Sequence, residues 1–372
     1  MEKVKIFALL IVGVMFIMCS CGGEDKSSDN LLYFKSPVSG QTVSLAGPDV
    51  KSFIDDYYLG YSLDFIDKTK GDHYYPTACS FEWESVEGGR YFFYISQDED
   101  FSDCVAYETS EPRISIDNLF VGKTYYYKIE ETVSGRSSGV KCFYTASTPR
   151  TLKISGISNT RDMGGYSTFD GKKVRQGMVF RGATPENATA EGLKEFSKLG
   201  VKTIIDLRET YGRTRSIDGV TYAELPEKGG PCYVNGTRAI TIEEYKQALV
   251  RAIAFFADES NYPVYFHCQI GRDRTGTLAF ILNGLLGVDY SDLTKDFELS
   301  CFSTAGCIDY DDATKQVERM VRDVEDMRLY FKKYAAKKYG GENELQFGIE
   351  AFLIDGGVSE SQIAAIKRIM LE

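Results

Sequence analysis

The chain has 372 residues, 43% apolar and 26% charged, and these ordinary globular values exclude wholesale disorder. Its length predicts two folded domains after removal of any targeting segment. The formal net charge of −11 disfavours non-specific binding to nucleic acid, so we expect no nucleic-acid partner, and any recognition of phosphate has to be local. With only His73 and His267, the chain has almost no histidine for a zinc site or a Ser-His-Asp triad.

The N-terminal segment has the layout of a secretory signal. Two lysines precede an apolar run, residues 6–18, that is too short to span a bilayer. The run leads into Met18–Cys21, which resembles a bacterial lipoprotein signal with Cys21 as the acylated residue. We therefore expect a signal peptide over 1–20, a flexible tether over 21–40, and lipid anchoring on the periplasmic face or cell surface of a bacterium. A plain signal peptide and an N-terminal anchor helix are the alternatives.

Residues 41–148 are predicted to form a small all-β sandwich with a weakly patterned lead-in. Aromatic and β-branched residues concentrate in short runs between Gly, Ser and Asp clusters, at Ser80–Glu84, Gly89–Ser96, Tyr125–Glu130 and Val140–Tyr144. Trp83 can fill the core, and Leu119–Tyr125 resembles the tyrosine corner of fibronectin type III domains. We expect a spacer or a support for the next domain, with protein or glycan binding as the alternative.

Residues 149–372 are predicted to form an α/β domain with a central, mostly parallel sheet flanked by helices. Helical and strand patterns alternate along it: helix 190–199, strand 201–207, helix 242–257, strand 263–266 and helix 275–286. Ligands of such sheets bind at the carboxyl ends of the strands. His267 and Cys268 fall at one such end.

The segment His267–Gly276 has the composition of a phosphate-binding loop. It follows a strand, contains a glycine for a tight turn and enters a helix, so the N–H groups of residues 269–274 can point inward beside the positive helix end. Arg274 adds a planar fork that can hold two phosphate oxygens. The same field favours a nucleophilic thiolate at Cys268, to which Thr275 can donate its hydroxyl.

Cys268 and Arg274, five residues apart and flanked by His267 and Thr275, match the signature of cysteine-dependent phosphatases. Asn159–Tyr166 resembles the Asn-x-Arg-Asp-Leu-Gly-Gly motif of bacterial tyrosine/serine phosphatases. Further segments resemble their Tyr-Arg-Ser motif, their Asp-Leu-Arg motif and their terminal helices, and these are Phe180–Gly182, Asp206–Arg208 and 349–370. The resemblance covers about 155–372 and implies a fold like that of the protein tyrosine phosphatases.

This resemblance implies a two-step hydrolysis of phosphomonoesters that needs no metal and no cofactor. Cys268 forms a phosphocysteine that water then hydrolyses, while Arg274 stabilises the transition state. We favour Asp273 as the general acid over Asp206, with Asp162 third. The remaining residues expected to bind substrate or to support the loop are His267, Gln269, Ile270, Gly271, Arg272, Thr275, Arg161 and Arg181.

The expected substrate is a phosphorylated protein or a small phosphomonoester, with protein phosphotyrosine first and dual specificity included. The family commonly has Lys where this chain has Arg272, and Ser where it has Gly182. Because Arg272 keeps a positive charge inside the loop, a phosphoinositide or inositol-phosphate phosphatase is the second reading. A surface binding protein with an inert phosphatase domain is the third, although the intact set of Cys268, Arg274 and Thr275 argues against it.

Overall fold

The computed structural model describes residues 31–66, 74–208, 217–224, 236–303, 312–339 and 345–372. The predicted signal peptide, the lipidation site Cys21 and His73 lie outside these residues. The chain divides into two compact units. Unit 1 comprises the chain up to Gln41, Glu82–Arg113 and Tyr125–Phe143, whereas unit 2 comprises Thr42–Phe81, Ile114–Thr124 and Tyr144–Glu372. Most of the lead-in thus belongs to the unit that carries the loop, and the predicted domain boundaries stay predictions.

Short strands dominate the region before residue 149. They are β1 (Phe34–Ser36), β2 (Thr42–Val43), β3 (Cys79–Trp83), β4 (Tyr91–Ser96), β5 (Cys104–Thr109), β6 (Arg113–Ile116), β7 (Thr124–Glu131) and β8 (Lys141–Thr145). One sheet has the order β1-β3-β6 and another the order β2-β8-β7-β4-β5. The predicted strands are present as β3, β4, β7 and β8, while β1, β2, β5 and β6 were not predicted.

Aromatic side chains form the interior of unit 1. Trp83 is fully buried, and its ring lies 6.1 Å from that of Phe93 in a stacked arrangement. The ring of Phe34 lies 6.0 Å from Trp83 and 4.7 Å from Tyr127, and the Tyr127 hydroxyl donates to Pro37 O at 2.8 Å. Trp83 therefore fills a core, as its position in an early strand predicted. The assignment of a fibronectin type III sandwich stays a prediction.

A mixed, mainly parallel sheet organises unit 2. Its strands are β9 (Arg161–Asp162), β10 (Val179–Gly182), β11 (Thr203–Asp206), β12 (Thr221–Glu224) and β13 (Val264–His267). The order is β12-β11-β13-β10-β9, in which β9 alone pairs antiparallel. This arrangement confirms the mostly parallel sheet that the alternating pattern predicted.

Helices accompany this sheet, and most were predicted. They are α1 (Pro48–Asp55), α2 (Ala190–Ser197), α3 (Thr237–Thr241), α4 (Glu243–Ala254), α5 (Asp273–Leu286), α6 (Tyr290–Glu298), α7 (Ala313–Tyr339), α8 (Leu345–Asp355) and α9 (Glu360–Met370). The sequence did not predict α1, α6 and the long α7. Within the described ranges, no helix combines the length and apolarity needed to cross a membrane.

Side chains of the sheet enter two separate hydrophobic clusters. Along β13, Val264 and Phe266 join the larger cluster, which includes α5, whereas Tyr265 joins a smaller one in which it meets Phe196 of α2. Alternation along a strand sends successive side chains to opposite faces, so both faces of the sheet are covered. Ligands of such sheets bind at the carboxyl ends of the strands, and β13 leads directly from that end into the predicted loop.

Candidate active site

The carboxyl ends of three parallel strands meet at His267. The register pairs His267 with Gly182 of β10 on one side and with Asp206 of β11 on the other. The loop leaves the sheet between these neighbours and enters α5 at Asp273. Cys268 follows the strand at once and is 2% exposed, so the structure places the predicted nucleophile, almost fully buried, at the strand ends.

Consecutive carbonyls of the loop each face a hydrogen-bond donor of the surrounding protein. The contacts are Leu207 N to His267 O (2.8 Å), His267 Nδ1 to Cys268 O (2.9 Å), Thr184 N to Gln269 O (3.1 Å), Asn159 Nδ2 to Ile270 O (3.0 Å) and Arg181 Nη2 to Gly271 O (2.9 Å). In a trans peptide unit the C=O and the next N–H point in opposite directions. The N–H group of each following residue, 268–272, therefore points away from the donor that holds the preceding carbonyl.

Gly271 makes the close approach of the loop to β10 possible. Its φ is +73°, a region that favours glycine, and a Cβ built on it would lie 2.4 Å from the carbonyl carbon and oxygen of Gly182. A larger residue could not occupy this turn without moving the backbone. Gly271 thus shapes the loop rather than offering a side chain to a substrate.

The loop ends at the N-terminus of α5, whose peptide dipoles favour an anion there. The Arg274 guanidinium donates from Nη1 to Leu207 O at 3.2 Å. Thr275 is fully buried, and its hydroxyl has no hydrogen-bond partner in the part of the chain that the structure describes. The structure therefore brings Cys268, Arg274 and Thr275 into one loop, but the predicted bond from Thr275 to sulfur is not among the contacts described.

Asp206 is bound by a basic side chain. Arg208 donates from Nε to Asp206 Oδ1 at 3.0 Å and from Nη2 to Oδ2 at 2.8 Å, and it also binds Glu186 at 2.8 Å. Burial opposes ionisation of Asp206, but the hydrogen bonds from Arg208 and the nearby His267 outweigh it and lower the pKa of Asp206. This carboxyl group is therefore held as an anion.

The third candidate acid, Asp162, organises a turn. Its carboxylate accepts hydrogen bonds from Arg150 Nη1 (2.7 Å), Gly164 N (2.8 Å) and Gly177 N (2.7 Å), and it is fully buried. Burial raises the pKa of Asp162 despite these bonds. Its contacts join the backbone around the sheet edge and make none with the loop.

His267 is a buried neutral support. Burial lowers the pKa of His267 against the raising effect of Asp206, whose Oδ2 lies 3.9 Å from Nε2. Since Nδ1 faces a carbonyl, Nδ1 carries the proton of the neutral ring and Nε2 does not. The His267 side chain thus binds the Cys268 carbonyl and fixes the backbone of the nucleophile.

Asp273 lies in a polar cluster with residues of α7. Arg319 Nη2 donates to Asp273 Oδ1 at 2.8 Å, and Arg272 Nε lies 3.3 Å from the same oxygen. Arg272 and Arg319 both also donate to Gln316 Oε1, at 3.4 and 3.2 Å. The side chain of Asp273 is 25% exposed, whereas that of Arg272 is 4% exposed. The loop aspartate thus remains accessible, and α7 contributes two residues that the sequence did not predict.

Arg161 and Arg181, predicted to bind substrate, are both fully buried behind the loop. Each pairs with Asp296 of α6, Arg161 through Oδ1 at 2.7 Å and Arg181 through Oδ2. The two guanidinium groups lower the pKa of Asp296 although burial alone would raise it. Since Arg181 also holds Gly271 O, their observed contacts are with the loop support, and direct contact with a substrate stays a prediction.

Asp296 was missed in the sequence, although a signal for it existed. Leu293 and Phe297 lie three residues before and one residue after it, and both are buried on the inward face of α6. That spacing puts Asp296 on the same face, where a charged residue needs a partner. The pattern predicts burial of a carboxylate, but it does not identify Arg161 and Arg181 as its partners.

A protein-family model described as the tyrosine phosphatase family matches residues 152–372, more than half of the chain. The chain belongs to this family. The matched range includes the loop, the strands of the mixed sheet and α2 to α9, in agreement with the family resemblance drawn from the motifs.

This chain is similar to the following relatives at low sequence identity. A Cupriavidus necator protein named as a candidate tyrosine-protein phosphatase is 27% identical over 169 residues, which are 39% of this chain and 61% of that protein. The core catalytic domain of the PP-IP phosphatase SIW14 from S. cerevisiae, solved with citrate, is 16% identical, with coverage of 43% and 87% and a TM-score of 0.27. Another structure of the Siw14 catalytic core has a TM-score of 0.25 at 16% identity, with coverage of 39% and 85%.

A steric reason favours glycine at position 182, where the resembled motif has serine. A Cβ at this position would lie 2.3 Å from the Tyr265 hydroxyl, which donates to Ala183 O at 2.6 Å. A serine at 182 would collide with that hydroxyl. The tyrosine at position 265 therefore requires a residue without a side chain at position 182.

Proposed function

We propose that this member of the tyrosine phosphatase family hydrolyses phosphotyrosine on proteins through a phosphocysteine intermediate. The observation that carries the proposal is the anchoring of the loop carbonyls from His267 to Gly271, which points the N–H groups of the following residues away from these supports. A row of oriented backbone donors at a helix N-terminus suits a phosphate dianion.

The first step forms a bond between Cys268 Sγ and phosphorus. The phosphorus–oxygen bond to the leaving group breaks, and the general acid gives that oxygen a proton. The loop N–H groups and Arg274 stabilise the equatorial oxygens, where charge is greatest in the transition state. In the second step water, deprotonated by the same residue, attacks phosphorus and releases inorganic phosphate and the thiolate.

We assign the general acid to Asp273. Asp206 is 1% exposed and held on both oxygens by Arg208, so it is inaccessible to a leaving group. Asp273 also pairs with Arg319 and Arg272, but it lies within the loop at the start of α5 and is 25% exposed, so a leaving group can approach it.

A substrate with a single phosphate fits the loop best. Arg272, the residue that favoured phosphoinositides in the sequence, is almost fully buried and directs its guanidinium to Asp273 and Gln316. The positive charge of Arg272 is thus already paired within the protein. A second phosphate on the substrate would have to break these hydrogen bonds in order to bind the Arg272 guanidinium.

The test compares phosphate release from four substrates: a phosphotyrosine peptide, a phosphoserine peptide, a phosphoinositide and inositol hexakisphosphate. We expect phosphotyrosine to be preferred, Cys268→Ser to reduce release to background, and Asp273→Asn to lower kcat by about 10²–10³-fold. Cys301→Ser is the matched control, because Cys301 is equally buried in unit 2 and contacts Met320 rather than the loop.

Other outcomes each select a different function. Preference for the lipid or inositol substrate would replace phosphotyrosine with the second reading, and a loss on Asp206→Asn but not on Asp273→Asn would move the acid role. No release from any substrate by the wild-type protein would leave the binding protein with an inert domain as the better reading.

We also propose that the enzyme is exported and lipid-anchored at Cys21, on the periplasmic face or surface of a bacterium. The support is the basic start, the apolar run and the Met18–Cys21 segment, all outside the described residues. Cys21→Ala should move the protein from the membrane fraction to the soluble fraction, whereas Cys19→Ala should not. A Cys21→Ala protein that stays at the membrane would argue for an anchor helix.

For the β-region we propose a fibronectin type III-like sandwich that acts as a spacer. The two sheets and the shared ring cluster of Phe34, Trp83 and Phe93 support this proposal. An experimental structure of the full chain tests the topology. Specific retention of the full chain on immobilised glycans or cell-surface proteins would favour a binding module instead.

A further inference from the structure

The lead-in segment before residue 82 is fastened to the helix that carries Asp296. The ring of Phe53 on α1 lies 5.0 Å from that of Phe302, just beyond α6, and both are fully buried. Tyr57 OH and Gly60 N donate to the buried Glu298 of α6, at 3.2 and 2.9 Å. These contacts lie within unit 2, although the lead-in precedes residues 152–372 that match the family model.

Tyr74, from the same lead-in, contacts the Asn159–Tyr166 motif behind the loop. Its side chain is buried, and its hydroxyl donates to Thr160 O at 2.9 Å. Arg161 Nη1 lies 3.4 Å from the same hydroxyl oxygen, so this oxygen accepts as well as donates. Burial raises the pKa of Tyr74 to about 12, so the hydroxyl keeps its proton at neutral pH. Tyr74 therefore binds both a backbone carbonyl and a guanidinium of one motif.

From Arg161 the contacts continue to the loop. The nitrogen that meets Tyr74 also donates to Asn159 Oδ1 at 2.5 Å, which orients the amide so that Nδ2 donates to Ile270 O at 3.0 Å. Asn159 has a φ of +58°, so its backbone is held in an uncommon conformation between these contacts. A displacement of Arg161 or Thr160 would therefore also displace the Ile270 carbonyl.

We propose that Tyr74 is a positioning residue of the active site, which acts through Arg161 and Asn159 on the Ile270 carbonyl. Its hydroxyl binds the Thr160 carbonyl and joins Asp296 and Ser300 in holding the Arg161 guanidinium. These fix the Asn159 amide, and the amide turns the Ile270–Gly271 peptide so that its N–H faces the phosphate. The role in turnover rests on the proposed phosphatase function, whereas the effect on the loop around Cys268 does not.

The variant Tyr74→Phe removes the hydroxyl and keeps the ring. Tyr262→Phe is the matched control, because the buried Tyr262 hydroxyl also donates to a backbone carbonyl, Phe256 O at 2.6 Å, but lies before β13, at the end opposite the loop. Tyr262→Phe loses one buried hydrogen bond, whereas Tyr74→Phe loses the bond to Thr160 O and the longer contact from Arg161 Nη1, so we expect the fall in Tm of Tyr74→Phe to be at least as large as that of Tyr262→Phe. Asn159→Gly removes the amide while tolerating the positive φ, and it tests the next link.

Two readouts on the full chain separate positioning from simple destabilisation. One is the inhibition constant of inorganic phosphate together with kcat and KM on a phosphotyrosine peptide. The other is the pH dependence of Cys268 alkylation by iodoacetamide, followed by mass spectrometry, with the buried Cys301 as internal reference. We expect Tyr74→Phe to weaken phosphate inhibition and kcat/KM by about five- to tenfold and to slow Cys268 alkylation at neutral pH. Asn159→Gly should do the same, and Tyr262→Phe should change neither.

Equal behaviour of Tyr74→Phe and Tyr262→Phe in both readouts would overturn the proposal. A wild-type chain without turnover, in which Tyr74→Phe still alters Cys268 alkylation, would overturn the phosphatase function while keeping Tyr74 as a positioning residue. A Tyr74→Phe chain that does not fold leaves the decision to Asn159→Gly. Unchanged alkylation and phosphate affinity in that variant would then refute the path to the loop.

Discussion

The buried carboxylate of Asp296 gives the sharpest prediction on stability. It pairs with Arg161 and Arg181, both fully buried, and its own side chain is 6% exposed. Asp296→Asn keeps the shape and one acceptor oxygen but removes the only charge that this trio offers to balance two guanidinium groups. Breaking a buried ion pair by removal of one partner costs about 3–5 kcal/mol. For a unit of this size, that corresponds to a fall of roughly 6–20 °C in Tm.

The assay can distinguish the two units. Trp83 is the single tryptophan of the chain and lies in unit 1, whereas the described helices belong to unit 2. Helical ellipticity in the far ultraviolet should therefore report the loss in Asp296→Asn, while tryptophan fluorescence should keep its wild-type transition. Asp55→Asn is the control, since its ion pair with Lys51 is about half exposed and contributes under about 1 kcal/mol. A helical transition in Asp296→Asn that matches this control would refute the reasoning.

Other predictions concern the loop and its neighbours. Gly271→Ala should abolish binding of inorganic phosphate measured by calorimetry, because its Cβ would lie 2.4 Å from the Gly182 carbonyl; retained affinity would contradict this loop geometry. Arg208→Ala removes the bonds that lower the pKa of Asp206, so that pKa should rise in an NMR titration, and an unchanged value would exclude Arg208 as the cause. Burial lowers the pKa of His267 in the folded chain. Below the pKa of about 6.5 that a histidine has in the unfolded chain, the unfolded state therefore takes up a proton first, and the free energy of unfolding decreases as the pH is lowered. Urea denaturation between about pH 5 and 8 should show this slope in the wild type, and His267→Gln should reduce it; equal slopes would argue against a buried neutral His267.

The loop could be predicted because its information is local. Cys268, Arg274 and Thr275 lie on one short segment between a strand and a helix, and both elements have clear periodicity. The long helix α7 also has a local signal in the sequence. Its buried residues recur at helical spacing, and they are Val317, Met320, Val324 and Met327.

The supports of the loop could not be predicted in the same way. Asp296 and Arg319 act through partners that only the fold brings near, and Tyr74 lies in a stretch without a periodic pattern. Arg161 and Arg181 were found by their motifs, yet a motif does not state whether a guanidinium faces a ligand or a buried carboxylate. Burial decides that, and burial depends on how α6 packs against the sheet.

The anchoring of the loop has a consequence for the order in which this unit folds. The bond from Asn159 to Ile270 closes a separation of 111 residues, and that from Arg181 to Gly271 closes one of 90. Contacts this distant along the chain form only after large losses of chain entropy have been offset elsewhere. Until the sheet and α6 are assembled, these contacts cannot orient the backbone around Cys268. The geometry of the loop is therefore completed only together with the fold of the whole unit.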